Sequence, residues 1–424
     1  MSHLQPPPAS AVRLRQNRRF RAATGLAGLA VLLGSCTQGD PGAESAVDAD
    51  AEQVVDADTL AELEAQIEDY AAEPEFEPAG DAFSVADLEG KKILSMPVNS
   101  QLEGCDRMAR QSVEIAESVG IEGTYFQNDG STTAWAQGMN TAINQGYDGV
   151  ILVCGINPDE IAPQVEAARE EGIEVVVTHL SDMEDEPNEL VSGQTSGQFN
   201  LSMRLGIYSA FVENEGRPFD VLMLTSHENP PSHGMEVTVQ EEVEQLCGET
   251  CSVQSVNVPM TDYATDLTGA VSSALVANPD IQAVVMAYDA MTPYVIPAVQ
   301  SAPQEAHTYA FGADTTFLEM MEDEDSPQRT DMGPNFEWMA YTGMDQLFRA
   351  MAGEEAIPAA EAYSPYRLWT PEVIDELVPP YYGFGDSYMW GYRDLWLDAP
   401  EWDGPDLDDE GNEADDESGD DEDE

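Results

Sequence analysis

From Lys91 onward the chain alternates short apolar runs with segments of helical periodicity, and this alternation limits the fold more than any other feature. The run Asp148-Gly149-Val150-Ile151-Leu152-Val153-Cys154 is almost continuously apolar, as a strand covered on both faces must be. Further strands are expected over 92–98, 124–127, 173–179, 220–225, 252–258, 281–287 and 308–312. Helices are expected over 104–119, 132–144, 158–171, 199–213, 232–246, 262–277, 293–300 and 336–351. Strands alternating with helices of this length make parallel sheets with helices on both faces, an α/β class. The strands are too many for one small sheet. A single eight-stranded barrel is one solution, but two doubly wound lobes fit the spacing better.

Charge narrows the possible partners. Acids outnumber Lys and Arg 82 to 16, for a net charge of −66. Residues 37–90 hold 17 acids and no base, and residues 399–424 hold 15 acids and no base. The middle of the chain is acidic in its own right, and Lys91 and Lys92 are the sole lysines. Such a surface repels phosphate, which excludes a simple nucleic-acid binder and docking by charge on an anionic membrane. Many carboxylates with few lysines suit a saline medium, where screening relieves self-repulsion.

The first 36 residues read as an address. Arg13, Arg15, Arg18, Arg19 and Arg21 precede an apolar run over 22–34, followed by Leu33-Gly34-Ser35-Cys36. A basic region, a short apolar run and a small-residue cleavage site make a secretory signal. The run is shorter than the roughly 20 residues needed to span a bilayer. The ending resembles a bacterial lipobox, which marks Cys36 for lipidation, and Arg18-Arg19-Phe20 leaves twin-arginine export open beside the general route. Residues 36–90 are expected to form an acidic, lipid-anchored tether, with Leu60, Leu63, Ile67 and Tyr70 at helical spacing over 58–72. Export permits disulfides. Cys247-Gly248-Glu249-Thr250-Cys251 has the spacing of a local bridge. Cys105 and Cys154 either pair or stay as buried thiols. No metal site is expected.

Several local patterns then align in order. Strand 93–98 runs into Asn99-Ser100-Gln101. Asn144-Gln145-Gly146-Tyr147-Asp148-Gly149-Val150-Ile151 forms a helix-to-strand crossover, and Asn157-Pro158-Asp159-Glu160 opens the next unit. Asn278-Pro279-Asp280-Ile281, Tyr288-Asp289 and Phe311-Gly312-Ala313-Asp314 follow in the second half. Over about residues 91–351 the chain resembles type I periplasmic substrate-binding proteins of the ribose-binding-protein-like group. The resemblance implies two Rossmann-like lobes, residues 91–198 with 336–367 and residues 199–335 with 368–398. They would be joined by crossings near 197–200, 334–336 and 367–369, with the ligand between the lobes. It also implies a monomer without cofactor, which delivers a small polar ligand, most often a sugar, to the permease of an ABC importer.

Ligands of open α/β sheets bind beyond the carboxyl ends of strands. The implied ligand-binding residues are therefore Asn99, Gln101, Cys154 and His179 or Asp182 from the first lobe. The second lobe would supply His227, Asn229 or His233, then Tyr288, Asp289 and Asp314, with Asn335 at a crossing. Asp314 and Asp289 also suit helix caps. Leu102-Glu103-Gly104 stands where the group carries a stacking aromatic, and the scarcity of arginine argues against an anionic ligand.

Rival functions leave weaker traces. Gly193-Gln194-Thr195-Ser196-Gly197 imitates a nucleophile elbow with Thr in the nucleophile's place, and His227-Glu228 lacks the second His of a zinc protease. No Gly-x-Gly-x-x-Gly follows the first strand, so a dinucleotide enzyme is not expected. A secretory signal excludes a transcription factor. A surface sensor that hands its ligand to a receptor stays open. Asp406 to Glu417 approaches the calcium-loop spacing inside a segment expected to be a solvated acidic tail.

Overall fold

A computed structural model describes residues 53–404 apart from Glu324 and Pro380. The expected signal peptide, Cys36 and the acidic tail over 405–424 lie outside the described residues.

Eleven of the strands build two sheets. β1 (Phe83–Ser84) stands apart from both. The first sheet contains β2 (Lys92–Pro97), β3 (Glu122–Tyr125), β4 (Gly149–Val153), β5 (Glu174–Asp182) and β6 (Gly193–Gly197), in the order β3-β2-β4-β5-β6, all parallel. The second contains β7 (Asp220–Thr225), β8 (Val253–Asn257), β9 (Ile281–Met286), β10 (His307–Phe311), β11 (Gln328–Pro334) and β12 (Tyr366–Trp369), in the order β12-β11-β10-β9-β7-β8. Only the β11–β12 pair in it is antiparallel. Both orders reverse direction beside the first strand of the sheet, the pattern of doubly wound folds.

Every residue of β4 is buried, and its side chains divide between two cores. Ile151 and Val153 face one apolar cluster, Val150 and Leu152 the other. The first cluster lies under α2 (Glu103–Ser118) and α10 (Phe336–Ala352), the second under α3 (Thr132–Gln145) and α4 (Ala162–Glu170). In β9 the same alternation sends Ala283 and Val285 toward α5 (Phe199–Glu213) and α6 (Ser232–Cys247). Val284 and Met286 face α7 (Thr268–Ala277) and α8 (Thr292–Gln300). Caps fix where helices begin and end. Ser131 Oγ accepts from Ala134 N at 3.2 Å to start α3, and Gly146 ends it with φ 66°, a left-handed value that costs glycine little.

The structure corrects four expectations. The tether is held from its described start: Val55 is buried, and the helix expected over 58–72 is present as α1 (Ala57–Ala71), capped by Asp56 and packing Leu63 into the second lobe's core. β1 then pairs with β13 (Trp396–Leu397). The strand β6, Gly-Gln-Thr-Ser-Gly, has no apolar pattern; pairing with β5 and burial beneath Gln346 make it a strand. The helix expected over 262–277 is α-helical only from Thr268, after a 3-10 turn over Met260–Asp262 and a π turn over Tyr263–Leu267. Finally, residues 368–398 do not stay in the second lobe. Past β12 the chain returns to the first, where α11 (Ser387–Leu395) places Tyr388, Met389 and Tyr392 against α10. The third crossing accordingly precedes Arg367, because Tyr366 already belongs to the second sheet. Ala362 O accepts from Ser196 N at 3.0 Å, at the end of the first.

Among the described residues two disulfides are present, Cys105–Cys154 and Cys247–Cys251. The first ties the start of α2 to the loop after β4.

Candidate functional site

The carboxyl ends of β4 and β5 in one lobe face those of β9 and β10 in the other, and the chain turns there in unusual ways. Cys154, His179 and Ala313 have φ of 61°, 58° and 55°. Left-handed backbone costs a non-glycine residue about 1–2 kcal/mol, and such strain collects at functional sites. At His179 the cause is visible, since the β5–β6 register slips between Thr178 and Asp182. Beside Ala313, Gly312 takes φ 146°, and a side chain there would collide with the Asp289 carboxyl.

The slip brings the His179 ring onto an aromatic floor. Its centroid lies 4.6 Å from Phe199 and 6.3 Å from Phe311, and Nδ1 shares a 3.1 Å hydrogen bond with the Tyr366 hydroxyl. Phe199 opens α5 just past the first crossing, Phe311 ends β10, and Tyr366 begins β12. Tyr288 joins at 6.1 Å from Phe311, with its hydroxyl 3.0 Å from Ser232 Oγ and bonded to the Asn229 side chain. Burial lowers the His179 imidazole to about 4 and pushes the Tyr288 hydroxyl up to about 12. Both groups are therefore neutral at physiological pH, and the floor carries no charge.

Two cavities are lined by residues close in sequence to the floor, Leu180 and Ser181 in one and Ala313 in the other, and by none of the floor residues themselves. One, of about 520 Å³, is lined in the first lobe by Asn157, Ser181, Asn188 and Gln194 among others, and by Pro230 from the second. Its polar rim is pre-set: Gln194 Nε2 donates to Ser181 Oγ at 2.6 Å, and Gln194 Oε1 accepts from Asn188 N at 3.0 Å. The other is narrow, about 60 Å³, between Glu103, Gly104 and Arg107 of α2 and the Ala313–Asp314 turn with Asn335.

The expected site residues separate into three sets. His179, Tyr288 and Asn229 meet at the floor. Asp289 and Asp314 meet each other, since Asp314 N donates to Asp289 Oδ2 at 2.8 Å. Burial, assisted by the Asp314 charge, raises the Asp289 carboxyl to about 7, and burial beside Asp289 holds Asp331 well above the carboxylate range. The remaining residues have local partners. Asn99 Oδ1 accepts from Gln101 N at 2.9 Å, with Gln101 exposed on the α2 rim. Asp182 is buried and accepts from Asn200 N and Glu184 N at 2.8 and 2.9 Å. Asp314 Oδ1 caps Thr316 N and Asn335 Oδ1 caps Trp338 N. Cys154 is bonded to Cys105. His233 stays exposed, 6.4 Å between ring centroids from His227, which pairs with Glu236 at 2.7 Å.

Phe199, Phe311 and Tyr366 escaped the reading of the sequence, as did the rim residues Asn157, Ser181, Asn188 and Gln194. An aromatic residue at a strand end or just past a crossing was the available signal for the first three. Among the described residues no group of three or more His, Cys, Asp and Glu side chains is placed to hold a metal ion, and no helix is long and apolar enough to cross a membrane.

Residues 94–355 match the family model described as the periplasmic binding protein domain. Solved structures share the fold at low identity. A sugar ABC transporter protein from Yersinia enterocolitica is 17% identical, with TM-score 0.58, covering 76% of this chain and 98% of its own. A solute-binding protein from Agrobacterium vitis, solved with bound allitol, is 16% identical with TM-score 0.56, covering 68% and 98%. A 5-methylthioribose transporter solute-binding protein from Thermotoga lettingae is 17% identical with TM-score 0.56, covering 73% and 96%. No curated protein sequence matches.

Proposed function

The chain belongs to the periplasmic binding protein domain family, and on that premise we propose that it captures a small uncharged polyol or sugar between its lobes and passes it to an ABC permease. It binds without turnover, outside the cytoplasm, as a monomer held to the membrane by a lipid on Cys36. The aromatic floor built by both lobes from His179, Phe199, Tyr288, Phe311 and Tyr366 carries the reading. Sugar rings present C–H faces to aromatic side chains and hydroxyls to groups that both donate and accept. The Asn157, Ser181, Asn188 and Gln194 rim supplies groups of the second kind. The neutral floor disfavours ions, which would lose hydration there without a counter-charge. The bound allitol and the 5-methylthioribose specificity of the two solved relatives support the same class.

A thermal-shift screen of the mature protein against allitol, allose, ribose and neutral polyols tests this. A solute at 100 times its Kd adds about 2.7 kcal/mol. The gain is expected to vanish in Phe311→Ala, whose folding without solute is followed by circular dichroism. Shifts only with carboxylates, phosphates or amines would refute the ligand class. Fractionation of cells carrying Cys36→Ser tests the anchor: a variant still processed and membrane-bound removes it.

A further inference from the structure

Both ends of the described chain lie outside the segment that matches the family model, residues 94–355, and both cross from the second lobe to the first. At the amino end, α1 sits in the second lobe's core with Val55 and Leu63. Twelve residues after α1 begins its exit, the chain is in the first lobe's core: Phe83 is buried there and β1 pairs with β13. Between these points Phe76 packs edge-on against Tyr392 at 4.9 Å and lies 6.2 Å from Trp338, while Asp81 O accepts from Arg349 Nη1 at 3.0 Å. At the carboxyl end, β12 is hydrogen-bonded into the second sheet, yet Ile374, Phe384 and α11 belong to the first lobe's core.

One side chain holds both segments where they leave the second lobe. Arg367, on β12, is completely buried. Its Nε donates to Ala71 O at 2.9 Å, its Nη1 to Gly383 O at 2.6 Å, and its Nη2 pairs with Glu376. The guanidinium also lies over Trp369, 4.5 Å from the ring centroid. A buried guanidinium is tolerated where its donors are all engaged, and here the engaged groups come from the amino-terminal segment and the returning carboxyl-terminal segment.

We propose that these two segments are straps and Arg367 their clasp, and that together they hold the lobes at a set mutual angle when no solute is present. The proposal rests on the two-lobe binding reading above. Hinge strands accommodate rotation through φ/ψ changes at a few residues. A short segment held by side-chain contacts in both lobes resists that rotation, because those contacts must stretch or release as the lobes part. From Ala71 to Phe76 is five residues, and an extended chain spans at most about 3.5 Å per residue. Opening that carries Ala71 and Phe76 beyond that reach must detach Phe76 from Tyr392 or break the clasp. Lobes held at one angle lose less freedom on capture.

The test places spin labels on Glu170→Cys in α4 and on Val276→Cys in α7, which is 74% exposed. The distance distribution is measured without solute by electron double resonance. The otherwise native chain is expected to give one narrow distribution. Phe76→Ala combined with Glu376→Ala, one change in each strap, should broaden it and move it outward by several ångströms while far-UV circular dichroism is unchanged. A broad distribution in the native chain, or an unchanged one in the folded double variant, overturns the proposal. Because Arg367→Met leaves the buried partners of the guanidinium unpaired, the strap variants carry the test. No solute enters the measurement, so failure here is distinct from failure of the screen that tests the binding reading.

Discussion

Asp289 and Asp331 are buried carboxyls at the edge of the cleft, and no Lys or Arg is among the groups that shift them. An ordinary Asp titrates near 3.9. A folded-state value raised to about 7 means that the stability this group contributes is complete below about pH 4 and is lost as pH rises through 7. The loss amounts to roughly 4 kcal/mol for an isolated group, at about 1.36 kcal/mol per pH unit. Asp289→Asn is therefore expected to match or fall below the native chain at pH 5 and to exceed it at pH 8. Urea unfolding at both values checks this, and an equal offset at the two would refute it. Asp314 performs a second task or it does not. Its Oδ1 caps Thr316 N, and Asn caps about as well as Asp. If its carboxylate also accepts a solute hydroxyl, Asp314→Asn should weaken binding about tenfold, near 1.4 kcal/mol, and leave the unliganded Tm almost unchanged. Calorimetry with a solute from the screen decides, and native affinity removes Asp314 from the site. The same residue shows why site residues were only partly legible. Asp314, Asn335 and Asp182 stand where ligand groups stand, but a polar residue at a strand end is also what the next helix needs for its first N–H groups, and sequence does not distinguish the two uses.

Among elements, the two disulfides differ in what they constrain. Cys105–Cys154 joins residues 49 apart in sequence and Cys247–Cys251 residues 4 apart. By loop entropy the first is worth about 4 kcal/mol and the second about 2 kcal/mol. Replacing the first pair with Ser is expected to lower the denaturation midpoint further than replacing the second, and the reverse order would show that strain or residual structure outweighs loop length. Legibility at this scale followed burial. β4 and β9 could be read because they are apolar on both faces. β6 could not, because Gly193–Gly197 owes its strand form to the neighbours it pairs with and lies under. The lobe that receives α11 is not legible for a related reason: an amphipathic helix states that it has an apolar face, not which core receives it.

For the whole molecule, the charge of −66 is spread over the lobes as well as the ends, and screening that self-repulsion should raise the Tm from low to molar NaCl. A flat or falling Tm would remove the saline reading. The interleaving of the lobes has a consequence for how the chain is made. The first sheet is complete at Gly197, but α10, which shares one of its faces with α2, comes only at Phe336–Ala352, α11 packs on α10, and β1 waits for β13 at Trp396. A chain growing from its amino end therefore carries one face of the first sheet only partly covered until α10 has been made. The contacts that close it are among the most distant in sequence, which slows folding further. The order of segments thus makes closure of the first lobe one of the last events in the life of the growing chain, set by when Trp396 becomes available to β1.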